Sequence, residues 1–208
     1  MPSTNRVTRI YVEKKTDQAL EANSVFQDLR ATLGLTELKK LRILIRYDME
    51  SLAEEVKASA FSTIFSEPPV DILYSDDFPR LPDDFVFSVE LLPGQYDQRA
   101  DSAAQCVQLL SGGERSKIRV AKTYVLSGKI TLSQQKEIVS YMINPVDSRQ
   151  ADETLPETLE QEAPLPADVP IIGDFRKKTE EALGHLGQVY GLAMSREDLL
   201  FCQKYFRE

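Results

Sequence analysis

Apolar positions along this chain run twice through the same order of periods. Ile10 and Val12 alternate with Arg9, Tyr11 and Glu13 over residues 7–14, the period of a half-buried strand. Ala22, Val25, Phe26, Leu29 and Leu33 then recur at helical spacing up to Gly34, which predicts a helix ended by glycine. Leu41, Ile43, Ile45 and Tyr47 share one side of a second strand. Ser51-Leu52-Ala53-Glu54 has the form of a capping box and opens a helix with Val56, Ala60 and Ile64 on its face. Pro68-Pro69 ends that helix, and residues 70–74 predict a third strand.

The second pass begins with Phe85, Phe87, Val89 and Leu91 alternating as a strand. Ala103, Cys106, Val107 and Leu110 form the predicted inward face of a helix closed by Gly112-Gly113. Ile118, Val120 and Tyr124 belong to another strand, and Thr131-Leu132-Ser133-Gln134 repeats the capping-box pattern. Ile138, Val139, Met142 and Ile143 line the last helix before Asn144-Pro145, and residues 146–149 make a poor final strand. Pro69-Val70-Asp71 aligns with Pro145-Val146-Asp147 at an offset of 76 residues (145 − 69). The capping boxes are 80 apart (131 − 51), so the second closing helix is expected to be shorter by about one turn.

Two strand-helix-strand units bury both helical layers when their sheets join edge to edge or face to face. The expected fold is therefore α+β: a duplicated two-layer sandwich of antiparallel sheet and helices with pseudo-two-fold symmetry. It occupies residues 1–149, with halves 7–76 and 83–149, and a short helical linker domain follows.

Composition changes after residue 149. Asp152, Glu153, Glu157, Glu160, Glu162 and Asp168 alternate with Pro156, Pro164, Pro166 and Pro170, without Lys or Arg, which predicts an extended, self-repelling linker over residues 150–170. Carboxylates without a regular turn to converge them do not make a metal site. Order returns over residues 171–208, with Phe175, Thr179, Ala182, Leu183, Leu186, Val189 and Tyr190 at helical spacing and Gly191 as the stop. Ser195-Arg196-Glu197-Asp198 caps a last helix carrying Leu199, Cys202 and Phe206, which is expected to be still running at Arg207-Glu208, as in a truncated segment.

Charge and cysteine narrow the function. The chain has 33 acidic and 25 basic residues, net −8, which disfavours a nucleic-acid or anionic-membrane surface. Cys106 and Cys202 stand 96 residues apart (202 − 106) and read as reduced, buried packing thiols. The first six residues lead into no signal-peptide core, and no apolar run has bilayer length, so a cytoplasmic segment is expected; the segment is also expected to be monomeric.

Three constellations could carry chemistry. Leu110-Ser111-Gly112-Gly113-Glu114-Arg115 resembles the signature loop of ATP-binding-cassette ATPases, whose amides meet nucleotide phosphate at a helix start. The Gly-rich loop that grips nucleotide is missing, however: Gly128-Lys129 has Thr123 where that loop needs glycine. The repeat also places Gly112-Gly113 at a helix end, opposite Gly34. His185 is the only histidine and lies between two weak-helix glycines, the setting of a surface or packing residue. Asp97, Arg99 and Asp101 follow the turn Pro93-Gly94-Gln95-Tyr96 and suit either a helix N-terminal charge network, with Asp97 as cap, or an acid-base set. Gln98, Arg99 and Asp101 exceed what a turn requires. Pro93, Gly94, Gln98, Arg99 and Asp101 are thus the candidate docking residues, with no catalytic or metal-binding residue assigned.

The run Leu91-Leu92-Pro93-Gly94-Gln95-Tyr96-Asp97-Gln98-Arg99-Ala100-Asp101-Ser102-Ala103-Ala104-Gln105-Cys106 resembles the N-terminal domain of single-chain phosphoribosylformylglycinamidine synthases. Phe65-Ser66-Glu67-Pro68-Pro69-Val70-Asp71, Ile143-Asn144-Pro145-Val146-Asp147-Ser148-Arg149 and Gly191-Leu192-Ala193-Met194-Ser195-Arg196-Glu197-Asp198-Leu199 extend the resemblance over nearly the whole chain. It implies a tandem fusion of the small bridging subunit found in split versions of that ligase, followed by a helical linker domain. The parent enzyme uses ATP, magnesium and glutamine to amidate formylglycinamide ribonucleotide in purine biosynthesis. This segment would hold no cofactor and no catalytic residue. Its partners would be the synthase and glutaminase domains of the same polypeptide. A fragment of an ATP-binding-cassette ATPase and a self-standing adaptor are the alternatives.

Overall fold

Strand-forming alternation and apolar helical stripes assemble, in a computed structural model, into a six-stranded antiparallel sheet with four helices on one face. The structure describes residues 7–50, 52, 54–160, 168–169 and 171–207, and the chain divides into two compact units, residues 1–163 and 164–208. The first unit runs β1 (Thr8–Lys14), α1 (Leu20–Thr32), β2 (Leu38–Glu50), α2 (Glu54–Ala60) and β3 (Asp71–Ser75). It continues through β4 (Phe85–Leu91), α3 (Gln98–Ser111), β5 (Lys117–Gly128), α4 (Leu132–Met142) and β6 (Ser148–Gln150). Helix α2 passes into a π-helical turn, Phe61–Phe65. Its expected capping box involves Ser51 and Ala53, which lie outside the described residues, whereas the Thr131–Gln134 box on α4 forms in full.

Spatially the strands lie β3-β1-β2-β5-β4-β6, with the two longest paired at the centre from Leu38↔Gly128 to Glu50↔Lys117. The sheet is thus joined edge to edge. Two clusters fill the helical face. Ile10, Val12, Tyr47 and Met49 pack with α2 and α3 through Ala60, Phe65, Ala103 and Val107. Leu41, Phe87, Tyr124 and Leu126 pack with α1 and α4 through Ala22, Leu29 and Ile138. Each half therefore sends one helix to either cluster.

Burial corrects several expectations. Cys106 is exposed and Cys202 only half-buried, because α3 turns Ala100, Ala103, Ala104 and Val107 inward and leaves Cys106 and Leu110 outside that stripe. Val146 is also exposed, and the final strand starts two residues later, at Ser148.

The opposite face of the sheet is not the solvated side that alternation predicts. Arg9, Tyr11, Arg46, Asp48, Glu50, Ser88 and Thr123 are all buried. Phe78 covers Tyr11, Leu44 and Val125, with an edge-on ring contact to Tyr11 at 4.8 Å. The remaining cover comes from residues 151–160, the first half of the expected linker. Arg9 Nη1 donates to the Glu153 carbonyl at 2.6 Å and Arg46 Nη1 to the Asp152 carbonyl at 3.0 Å. Glu50 accepts from Thr158 Oγ1 at 3.1 Å and from the Leu159 amide at 2.9 Å. Carbonyls thus meet guanidinium groups and donors meet a carboxylate, which offsets the cost of drying a charged face, although Arg46 Nε is buried without a hydrogen-bond partner. A freely solvated tether is excluded over residues 151–160; residues 161–167 and 170 lie outside the described residues.

The second unit holds a 3₁₀ turn, Phe175–Lys177, then α5 (Glu180–Val189) and α6 (Arg196–Tyr205). Thr179 caps α5, and Ser195 with Asp198 forms a capping box on α6. Leu183, Leu186 and Leu199 are buried, and Gln203 Nε2 holds the carbonyls of Phe175 and Lys178 at 3.0 and 2.8 Å. Val189, Tyr190 and Phe206 are exposed. Helix α6 closes at Tyr205, before the end of the chain.

Candidate functional site

The turn singled out by sequence joins β4 to α3. Pro93 and Gly94 form its exposed tip, with Gly94 at φ 91°, where a Cβ would be strained. The Gln95 amide closes the turn onto the Leu92 carbonyl at 3.0 Å, and the Leu92 amide donates to the Asp147 carbonyl at 2.8 Å. Asp97 caps α3 by accepting from the Ala100 amide at 2.9 Å, as expected of this residue.

Asp101, one turn into α3, is the hub. It accepts from Tyr96 Oη at 3.0 Å and forms an ion pair with Arg115 from the loop before β5. Arg115 Nη2 also donates to the Asp101 backbone carbonyl at 3.3 Å. The Asp101 bond raises the Tyr96 phenol above its ordinary value, so the ring stays a neutral donor. Sequence reasoning missed Tyr96 and Arg115 as partners of Asp101; the helical offset of Asp97 and Asp101 was visible, but the return of the chain at residue 115 was not.

Beside this turn lies a cavity of about 480 Å³, lined by Pro93, Tyr96, Asp101, Arg115, Arg119 and Leu159 among others. Leu159, from the segment crossing the opposite face, forms part of its wall. Of the expected docking residues, Pro93, Gly94 and Asp101 come together here. Gln98 is exposed and is not part of this wall. Arg99 departs from the set: its Nη1 reaches Tyr47 Oη at 3.4 Å, and it lines a different cleft beside α1. That bond, outweighing burial, raises the Arg99 pKa. Arg99 and Asp101 are two positions apart on a helix and so face different ways.

The other candidates fall elsewhere. Gly112 ends α3 in the left-handed conformation at φ 63°, and its amide bonds to the Gln108 carbonyl at 2.9 Å. Residues 111–113 therefore close a helix, and the element after them is β5, so the nucleotide-loop geometry of an ATPase signature is not formed there. His185 is exposed on α5. Among the described residues no group of three or more His, Cys, Asp or Glu could hold a metal ion, and no helix is long and apolar enough to cross a membrane.

No protein-family model matches the chain, and no curated protein matches it.

Proposed function

We propose that this chain is a non-catalytic scaffold: a duplicated, pseudo-two-fold module of phosphoribosylformylglycinamidine synthase that docks the synthase and glutaminase domains for ammonia transfer. The observation that carries the reading is the register of the ladders. Ile10 pairs with Tyr47, and Phe87 pairs with Tyr124, each partner 77 residues on (87 − 10 and 124 − 47). Val12 pairs with Leu73, and Val89 with Gln150, again 77 on (89 − 12 and 150 − 73). In the central ladder Tyr47↔Val120 and Ile43↔Tyr124 exchange under the same offset, about a fixed pair Ile45↔Lys122 (122 − 45). A shared register of this kind is what fusion of two copies of one subunit produces. The proline-based offset of 76 differs by one because three positions separate Pro145 from Ser148 where two separate Pro69 from Asp71.

The chemistry also supports a positioning role. Ammonia released by a glutaminase must reach the synthase intermediate without escaping to water, so the two sites need fixed placement. The exposed Pro93–Gly94 tip, next to the Tyr96–Asp101–Arg115 bonds, is a projection suited to that task. Partner domains of the same polypeptide, with ATP and magnesium bound in the synthase domain, complete the reading.

The test is rescue in trans. The chain is added to a phosphoribosylformylglycinamidine synthase stripped of its own N-terminal domain, and turnover is followed with glutamine and with ammonia. Restored glutamine-dependent turnover, lost selectively in Asp101→Ala, is the expected result. Absence of both binding and rescue would reject the scaffold role.

A further inference from the structure

The cleft beside α1 is the place where chemistry is left unspent. It has a volume of about 480 Å³, within the range of small-molecule sites. Its floor is apolar. Ile43 and Ile45, at the centre of the central strand β2, are only half-buried, because the two helical clusters part above them. Phe26 and Phe65 flank that floor from α1 and the π-helical turn.

Cations surround it. Every acid lining the cleft already has a basic partner: Asp71 pairs with Lys14 at 2.8 Å, Glu13 with Arg42 at 2.6 Å and Glu21 with Lys122 at 2.6 Å. Lys39 and Lys40 line the same cleft without an acidic partner among the described residues. Arg99 adds a third cation that makes no ion pair among the described residues, held by one long bond to the Tyr47 hydroxyl at 3.4 Å, with Asp97 and Glu21 acting on it only from a distance. The result is a positive cleft on a chain of net charge −8. The first turn of α1 also lines it, and Ala19 at the cap position makes no side-chain cap bond.

We propose that this cleft binds a phosphorylated aromatic ligand of the size class of a nucleoside monophosphate. The ring lies on Ile43 and Ile45 with the Arg99 guanidinium beside it, since a guanidinium stacks on aromatic faces. The phosphate lies toward Lys39, Lys40 and the start of α1. The cavity beside Pro93 occupies the corresponding place in the other half and keeps Lys117 and Arg119 where the first cleft has Lys40 and Arg42, but Lys14 and Lys39 are replaced there by Leu91 and Ser116 at the 77-residue offset (91 − 14 and 116 − 39). In that second cavity Arg115 pairs with Asp101 and Lys117 with Glu160, whereas Lys39 and Lys40 of the first cleft have no acidic partner among the described residues. The site stands whether or not the chain is a synthase scaffold.

Calorimetric titration of the whole chain with AMP, adenosine and inorganic phosphate, without magnesium, tests it. AMP is expected to bind roughly tenfold more tightly than either half-ligand and to shift the Ile43 and Ile45 methyl resonances. The surface variant Lys39→Ala/Lys40→Ala should lower AMP affinity roughly tenfold and leave adenosine unchanged, while Arg99→Ala should weaken both. Circular dichroism checks that each variant folds, and the lysine pair decides if Arg99→Ala does not. No AMP binding at millimolar concentration, equal affinity for phosphate alone, or unchanged affinity in the folded lysine variant overturns the proposal.

Discussion

Arg9 stands directly opposite Asp48 in the β1/β2 ladder and grips it twice, Nε to Oδ1 at 2.5 Å and Nη2 to Oδ2 at 2.9 Å. Both side chains are nearly out of water, at 4% and 2% exposure. Arg46 Nε lies 3.5 Å from the same carboxylate. Burial alone would lower the Arg9 pKa, yet it is raised, because the Asp48 bond and charge outweigh desolvation. Asp48→Ala strands two buried guanidinium groups and should cost about 3–5 kcal/mol in urea unfolding. A cost below about 1 kcal/mol would mean that water reaches this face.

Residues 151–160 should behave as part of the sheet domain. Thr158→Ala removes one bond to Glu50 and should cost about 1 kcal/mol. The Leu159 amide, bonded to Glu50 at 2.9 Å, should exchange with solvent as slowly as amides of β2. Fast exchange there would show the segment lifting off the charged face.

Gly128 sits at φ 143°, and an added Cβ would come within 2.3 Å of the Glu37 carbonyl oxygen. Backbone stands on both sides of that contact, so it relaxes only by opening the end of the β2/β5 ladder. Gly128→Ala should destabilise by about 2 kcal/mol or more, read as a lowered urea midpoint. Gly34→Ala meets nothing within 4 Å and should cost less, from its φ of 64° alone.

Burial, with Glu21 as a lesser influence, pushes the Tyr124 hydroxyl up from its ordinary value near 10 to about 12. The folded state therefore keeps a proton that the unfolded chain loses. Stability from this group is complete below pH 10 and is lost as pH rises toward 12, by roughly 2–3 kcal/mol. Unfolding free energies at intervals between pH 9 and 12 should fall, and Tyr124→Phe should flatten the slope. An identical slope in the variant would assign the loss to other groups.

The sheet, its helices and the caps at Asp97, Thr131 and Ser195 were readable because period and cap chemistry are local. The inward face of α3 was placed three positions too far along the chain: alanines at 100, 103 and 104 carry little hydrophobic signal, and Cys106 and Leu110 drew the stripe toward themselves. The buried charges at Arg9, Arg46 and Asp48 were illegible, since strand alternation assigns polar residues to water unless another segment is known to cover them. That cover comes from an acidic, proline-bearing stretch whose composition reads as linker; its carbonyls and amides do the bonding, and backbone groups leave no composition signal. At the candidate site the turn was legible, but the direction of Arg99 depends on Tyr47 across the sheet.

The segment over the charged face also dictates an order of assembly. It bonds Arg9 in β1 from 144 residues away, Glu50 in β2 from 109, and Lys117 in β5 from 43. Closing loops of such length costs entropy before any contact repays it, and long-range pairing slows folding. During synthesis β1 and β2 can pair early, yet their guanidinium groups stay wet until the chain beyond β6 emerges from the ribosome. The last piece of the sheet domain to be made is thus the one that dries its first strand, so a chain halted before residue 151 would carry an open, charged sheet face.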